Sequence, residues 1–144
     1  MEDIHKQFKP EFTPIEMMKM GIFGGAYFAK ADPEDFKAMN DNIAKMAKTQ
    51  IGPFDIEKNH FKVKSGLSIT EWRKNGWVFD EDPLGWFHWY CRYYSGRRHM
   101  RDERQIKRWL SYNARWTKRK DNDKLPKLGP VAKQGLLQRS CRFE

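Results

Sequence analysis

Nine consecutive residues, Trp86, Phe87, His88, Trp89, Tyr90, Cys91, Arg92, Tyr93 and Tyr94, carry six large aromatic rings. Wound as a helix, Trp86, Trp89, Tyr90 and Tyr93 form one stripe, and Phe87, Tyr90 and Tyr94 an adjacent one. Together they cover much of the circumference. A helix that is apolar nearly all round belongs inside a protein. The segment is therefore expected to be a core helix, started by Asp82-Pro83 and stopped by Ser95-Gly96. The other reading of a basic, aromatic stretch is a platform on which bases stack. One or two of these rings at most would be free for that.

The rest of the chain agrees with a helical fold. Apolar residues make up 39% of the 144, and they are weighted towards aromatics and methionine. β-Branched apolar residues are scarce, which argues against an all-β protein. Helix-start chemistry recurs. Thr13, Pro14 and Glu16 form a capping box, with Phe12 and Met17 placed as a staple, for a helix running to Met20. Asp32, Pro33 and Asp35 repeat the signal ahead of an apolar stripe at Phe36, Met39, Ile43, Met46 and Ala47. Ser68 to Glu71 is a third such pattern, stopped by Asn75-Gly76. Asp102 opens a helix to about Thr117, and Val131–Gln138 forms a last short one. The expectation is one mainly α-helical compact domain over 1–144, with five to six helices and an aromatic-rich core. A short extended element is placed near 61–64, and a basic linker at 118–130.

Charge is distributed unevenly. Residues 1–72 carry ten lysines, no arginine and eleven acids. Residues 73–144 hold all eleven arginines, and 18 basic against 8 acidic residues. On a wheel of about 100° per residue, Arg104, Arg108, Arg115 and Arg119 fall within about 60° of one another. Ile106, Trp109, Leu110 and Trp116 lie opposite. Arg97, Arg98 and Arg101 precede this helix in a loop. Planar guanidinium forks match phosphate bidentately, and a row of them suits a phosphate backbone. The expected phosphate contacts are Arg97, Arg98, Arg101, Arg104, Arg108, Arg115 and Arg119, helped by Lys118 and Lys120. The competing reading is structural: arginines on a solvated face, or paired internally with Asp80, Glu81, Asp82, Asp102 and Glu103.

Catalytic chemistry is weakly signalled. The glycine-rich run at 21–25 lacks the lysine and Ser/Thr of a nucleotide-binding loop and reads as a tight turn. His5, His60, His88 and His99 have no metal-ligand spacing, so neither metal nor cofactor is expected. Asp80 and Asp82, with His88, are the candidates for general acid–base work, although Asp82 reads first as a helix cap. Cys91 and Cys141 lie too far apart in sequence for a CxxC site. They point to a reducing compartment, the cytoplasm, or the host cytoplasm for a viral chain. No apolar run approaches the roughly 20 residues of a membrane span. The acidic start of the chain does not read as a signal peptide.

The run Gly76-Trp77-Val78, then Asp82 to Arg98, then Asp102, Arg104-Gln105-Ile106 and Arg108-Trp109, resembles a family of small proteins met in bacteria, phages and large DNA viruses. Their pattern is roughly DPxGWFxWYCRYYxGRR followed by DxRQIxRW. Pro14–Phe28 and the segment from Pro130 to Gln138 are also similar. The resemblance implies a bacterial or viral source and brings no activity with it. From the residues themselves, the leading expectation is a nucleic-acid-binding protein for DNA or RNA, with little sequence preference. An enzyme acting on a nucleotide or modified base, and a virion or host-interaction protein docking an acidic partner, are the alternatives.

Overall fold

The computed structural model describes residues 3–66 and 69–144, by backbone alone at positions 69 and 70. It is mainly helical. In chain order the helices are α1 (Ile4–Gln7), α2 (Pro14–Met20), α3 (Asp41–Ala47), α4 (Ile69–Lys74), α5 (Trp86–Tyr94), α6 (Asp102–Lys120) and α7 (Pro130–Gln138). Single 3₁₀ turns lie at Phe23–Gly25, Pro33–Phe36 and Ile56–Lys58. Among the described residues no helix is long and apolar enough to cross a membrane.

The aromatic helix α5 is the centre of the fold. Its first eight residues are all buried, and only Tyr94 reaches solvent. Burial forces each polar atom on these rings to find a partner. Trp89 Nε1 donates to Asp102 Oδ1 at 2.8 Å, and Trp86 Nε1 to the Gln105 carbonyl at 3.3 Å. Both bonds tie α5 to the start of α6. The Tyr90 hydroxyl donates to the Phe12 carbonyl at 2.6 Å, which ties α5 to the entry of α2. Around α5 the core adds Met17 and Met18 from α2, Ile43 and Ala47 from α3, Ile106 and Trp109 from α6, and Leu136 and Leu137 from α7.

The N-terminal segment supplies a plug that periodicity did not reveal. Phe8, just after the one-turn helix α1, is surrounded by the rings of Trp86, Trp89, Tyr90, Tyr93 and Trp109 at centroid distances of 5.1–6.2 Å. Most of these contacts are edge-on, the arrangement that ring quadrupoles favour. A lone phenylalanine between lysines and a proline carries no helical signal, so only the closed core exposes its role.

Several elements depart from expectation. The capping box at Thr13, Pro14 and Glu16 forms as read. The box at Asp32–Asp35 also forms, but it starts only a single 3₁₀ turn. Ala38, at φ 63°, then breaks the chain, and α3 begins afresh with Asn40 as its cap. Ser68, the cap expected for α4, lies outside the described residues. No strand forms near 61–64. Phe61 N–H goes to Gln134 Oε1, and Asn59 holds the Val63 carbonyl, so the segment turns instead of pairing. Helix α6 runs on to Lys120, so Lys118, Arg119 and Lys120 are its last turn and the connection is 121–129. Cations there suit the negative end of the helix dipole.

Gly21 is a site of close approach. At φ 107° it ends α2, and a Cβ there would lie 1.9 Å from the Lys58 carbonyl oxygen. Its own carbonyl accepts from His60 N–H and from Gln134 Nε2.

Replacing Phe8 by alanine is expected to cost about 3–5 kcal/mol, the range for deleting a buried aromatic ring. Urea unfolding of the variant measures this. A loss below about 1 kcal/mol would show that the segment is not part of the core.

Candidate nucleic-acid interface

The loop between α5 and α6 divides its arginines among different tasks. Arg97 donates through Nη1 and Nη2 to the two oxygens of Asp82, at 2.8 and 2.7 Å. Arg92, on α5, donates to Asp82 Oδ1 at 2.9 Å and to the carbonyls of Glu34, Lys37 and Glu81. Asp82 is thus the buried centre of a two-arginine network and not a helix cap. Burial raises its carboxyl, but the hydrogen bonds and charge of Arg97, then Arg92, outweigh this and hold it below the usual range. Arg97 therefore already holds a buried carboxylate, and its fork is occupied.

The remaining expected contacts also separate. Arg98 lies 3.9 Å over the Tyr93 ring and donates to the Tyr93 carbonyl. Arg101 stacks on Phe79 at 4.5 Å, with Glu81 at 3.8 Å. Arg119 donates to the Pro126 carbonyl, and Lys120 to that of Arg142. Lys118 is exposed at the end of α6.

Arg104, Arg108 and Arg115 instead share one cleft, of about 850 Å³. Its walls come from the turn after α2 (Phe23 and Tyr27), from Trp72 on α4, from Trp77, from the start of α5, and from α6 and α7. Gly85 shapes it. At φ 110°, a Cβ there would sit 3.1 Å from the Trp72 ring and 3.3 Å from the Tyr27 hydroxyl. The absence of a side chain lets Trp72 lie against the start of α5. The Tyr27 hydroxyl donates to the Leu84 carbonyl and accepts from His88 N–H, which fixes that wall.

Charge in the cleft has one sign. Arg104, Lys107, Arg108, Arg115 and Arg139 line it, and no carboxylate does among the described residues. Lys107 reaches Glu103 at 2.9 Å. Among the described residues, Arg104, Arg108, Arg115 and Arg139 have no carboxylate at ion-pair distance. Arg108 donates to the Trp77 carbonyl and to Gln105 Oε1. Burial first, then the charges of Arg139 and Arg104, push its guanidinium down to about 10. Burial likewise lowers Arg139. The charge of Arg139 thus acts against that of Arg108, and the two guanidiniums repel one another. Arg139 had no sequence signal. It follows the buried pair Leu136 and Leu137 at the end of α7, and only the docking of α7 turns it into the cleft.

The acid–base candidates do not meet there. Asp80 is exposed and does not line the cleft. Asp82 is held by its arginines. His88 is fully buried, with Nε2 at 2.8 Å from the Asp35 carbonyl and Nδ1 at 3.4 Å from Leu84 N–H. A carbonyl can only accept, so Nε2 carries the proton. Leu84 donates, so Nδ1 is bare and the ring is neutral. Burial, then the charge of Arg92, lower its pKa to about 4. Among the described residues no three His, Cys, Asp or Glu side chains group as a metal site. Cys91 and Cys141 are free and buried.

No family model, curated protein or solved structure matches this chain.

His88 sets a pH dependence. Its folded pKa lies below the unfolded value of about 6.5, so the unfolded chain binds more protons between the two. Stability should therefore fall as pH drops from about 6.5 to 4, by on the order of 3 kcal/mol in all. Asp82 adds its loss only below about pH 4, where an unfolded aspartate takes up a proton. Urea midpoints measured from pH 7 to pH 4 check the upper window. A flat profile there would place a charged His88 in the folded core.

Proposed function

We propose that this chain binds nucleic acid through the α6–α7 cleft. Phosphates would lie on Arg104, Arg108 and Arg115, and unpaired bases against Trp72, Trp77 or Tyr112. One observation carries the reading: guanidiniums with no carboxylate partner among the described residues line an aromatic-walled cleft. Phosphate supplies the missing negative charge and fits the planar fork. Aromatic faces stack on any base, which suits recognition of single strands without a sequence code. Cations that are partly desolvated without a counter-charge cost stability in the free protein, and a bound phosphate would offset that cost. The cleft volume lies within the range of ligand-binding clefts, about 300–1,000 Å³.

This reading is narrower than a basic face along a helix. Arg97 is left out because Asp82 occupies it. Arg119 and Lys120 are left out because they do not line the cleft, and they hold the carbonyls of Pro126 and Arg142. Arg98 and Arg101, partly engaged on Tyr93 and Phe79, lie outside the cleft and would at most extend its charge.

Affinity for a short single strand should fall steeply with salt, with log K against log salt sloping at about −0.7 per phosphate engaged. Reversing Arg104 and Arg115 together, R104E/R115E, should weaken binding by about ten-fold or more and flatten that slope. Both side chains are exposed, so the fold should survive, which circular dichroism checks. Absence of binding at low salt defeats the proposal. Unchanged nucleic-acid affinity in the double variant, with loss of an acidic protein partner, would move the function to protein docking.

A further inference from the structure

The cationic residues of the cleft come from two elements and not from α6 alone. Arg104 and Arg115 stand about 16 Å apart along α6 at 1.5 Å per residue, and Arg108 lies between them. Arg139 arrives from a different helix. Its guanidinium lies 5.0 Å from the centre of the Tyr112 ring, and that of Arg115 lies 5.4 Å from the same ring. Tyr112 follows Arg108 by one helical turn. Two guanidiniums from different elements thus meet at one tyrosine, and that of Arg108, one turn away, lies 5.8 Å from the Trp77 ring. Next to them the cleft is pinched: a Cβ on Gly135 would lie 3.1 Å from Ser65 Oγ and 3.2 Å from the Tyr112 hydroxyl. Gly135 is one turn before Arg139 on α7, so α7, residue 65 and α6 close together on the side where the guanidiniums meet.

An internal phosphodiester carries a single charge and must continue in both directions. A phosphate monoester carries about −1.5 to −2 and offers three terminal oxygens. It also ends the chain that bears it. We infer that the cleft is a receptor for a terminal phosphate monoester, held by Arg108, Arg115 and Arg139, with the attached nucleoside against the aromatic wall. The self-repulsion between Arg108 and Arg139 described above is relieved more by a dianion than by a diester. This inference rests on the proposed nucleic-acid reading and narrows it to strand ends or free nucleotides.

Binding of one short single strand in three forms, with a 5′-phosphate, with a 3′-phosphate and with neither, tests it at fixed salt. A nucleoside monophosphate is measured alongside. One phosphorylated form should bind about ten-fold or more tighter than the hydroxyl form, as charge-assisted hydrogen bonds allow. R139Q should remove that advantage, weakening the phosphorylated form about ten-fold or more beyond any loss suffered by the hydroxyl form. R139K keeps the charge without the fork and should retain only part of the advantage. A phosphorylated strand that outbinds the monophosphate identifies a strand end, and equal affinities identify a free nucleotide. Equal affinity for all three strands overturns the inference and leaves salt-dependent nucleic-acid binding standing. The wild-type comparison alone decides this, so the inference stays testable if R139Q fails to fold.

Discussion

The structure depends on the burial of α5. A helix buried on every side has no solvent face on which to discard polar atoms, so each one must be satisfied by another part of the chain. Arg92 is the clearest case. Its guanidinium reaches the carbonyls of Glu34, Lys37 and Glu81 and the carboxylate of Asp82. One side chain thus fixes the segment before α3 and the approach to α5 at once. The indole and phenol groups of α5 do the same for α2 and α6. The aromatic helix is both the apolar core and the hub of the polar network.

That network also decides where the surplus positive charge lies. Asp82 pairs with both Arg92 and Arg97, and the loop after α5 is drawn inward. The surplus positive charge is left on α6 and at the end of α7. There Trp72, Trp77 and Tyr112 border a cleft. The partition follows from cost. A buried carboxylate with two guanidiniums is satisfied, whereas an unpaired buried charge is not. Arg108 and Arg139 are partly desolvated and have no such partner among the described residues.

Much of the architecture was legible in the chain because its signals are local. Capping at Thr13, the start of α6 at Asp102, the end of α5 at Ser95 and the position of α7 each depend on residues within one or two turns. Where local signals competed, the reading failed. The Asp32 box is real, but Ala38 adopts a left-handed conformation that separates it from the stripe it was expected to lead. The pattern at 61–64 alternates, yet a strand needs a partner, and Gln134 and Asn59 take the backbone groups first. Phe8 had no local signal, since its role exists only where five rings from two helices meet.

The site divides along the same line. Sequence alone determined that the second half of the chain is basic and aromatic, that α5 lies inside, and that one face of α6 carries guanidiniums. Those are consequences of composition and of the helical period. Only the tertiary structure decided which arginines pair with carboxylates. Asp82 lies 15 residues from Arg97, Arg139 lies 31 residues beyond Arg108, and no periodicity links either pair. Ion pairing and burial act through space, so an arginine's partner is settled when the helices dock and not when they form.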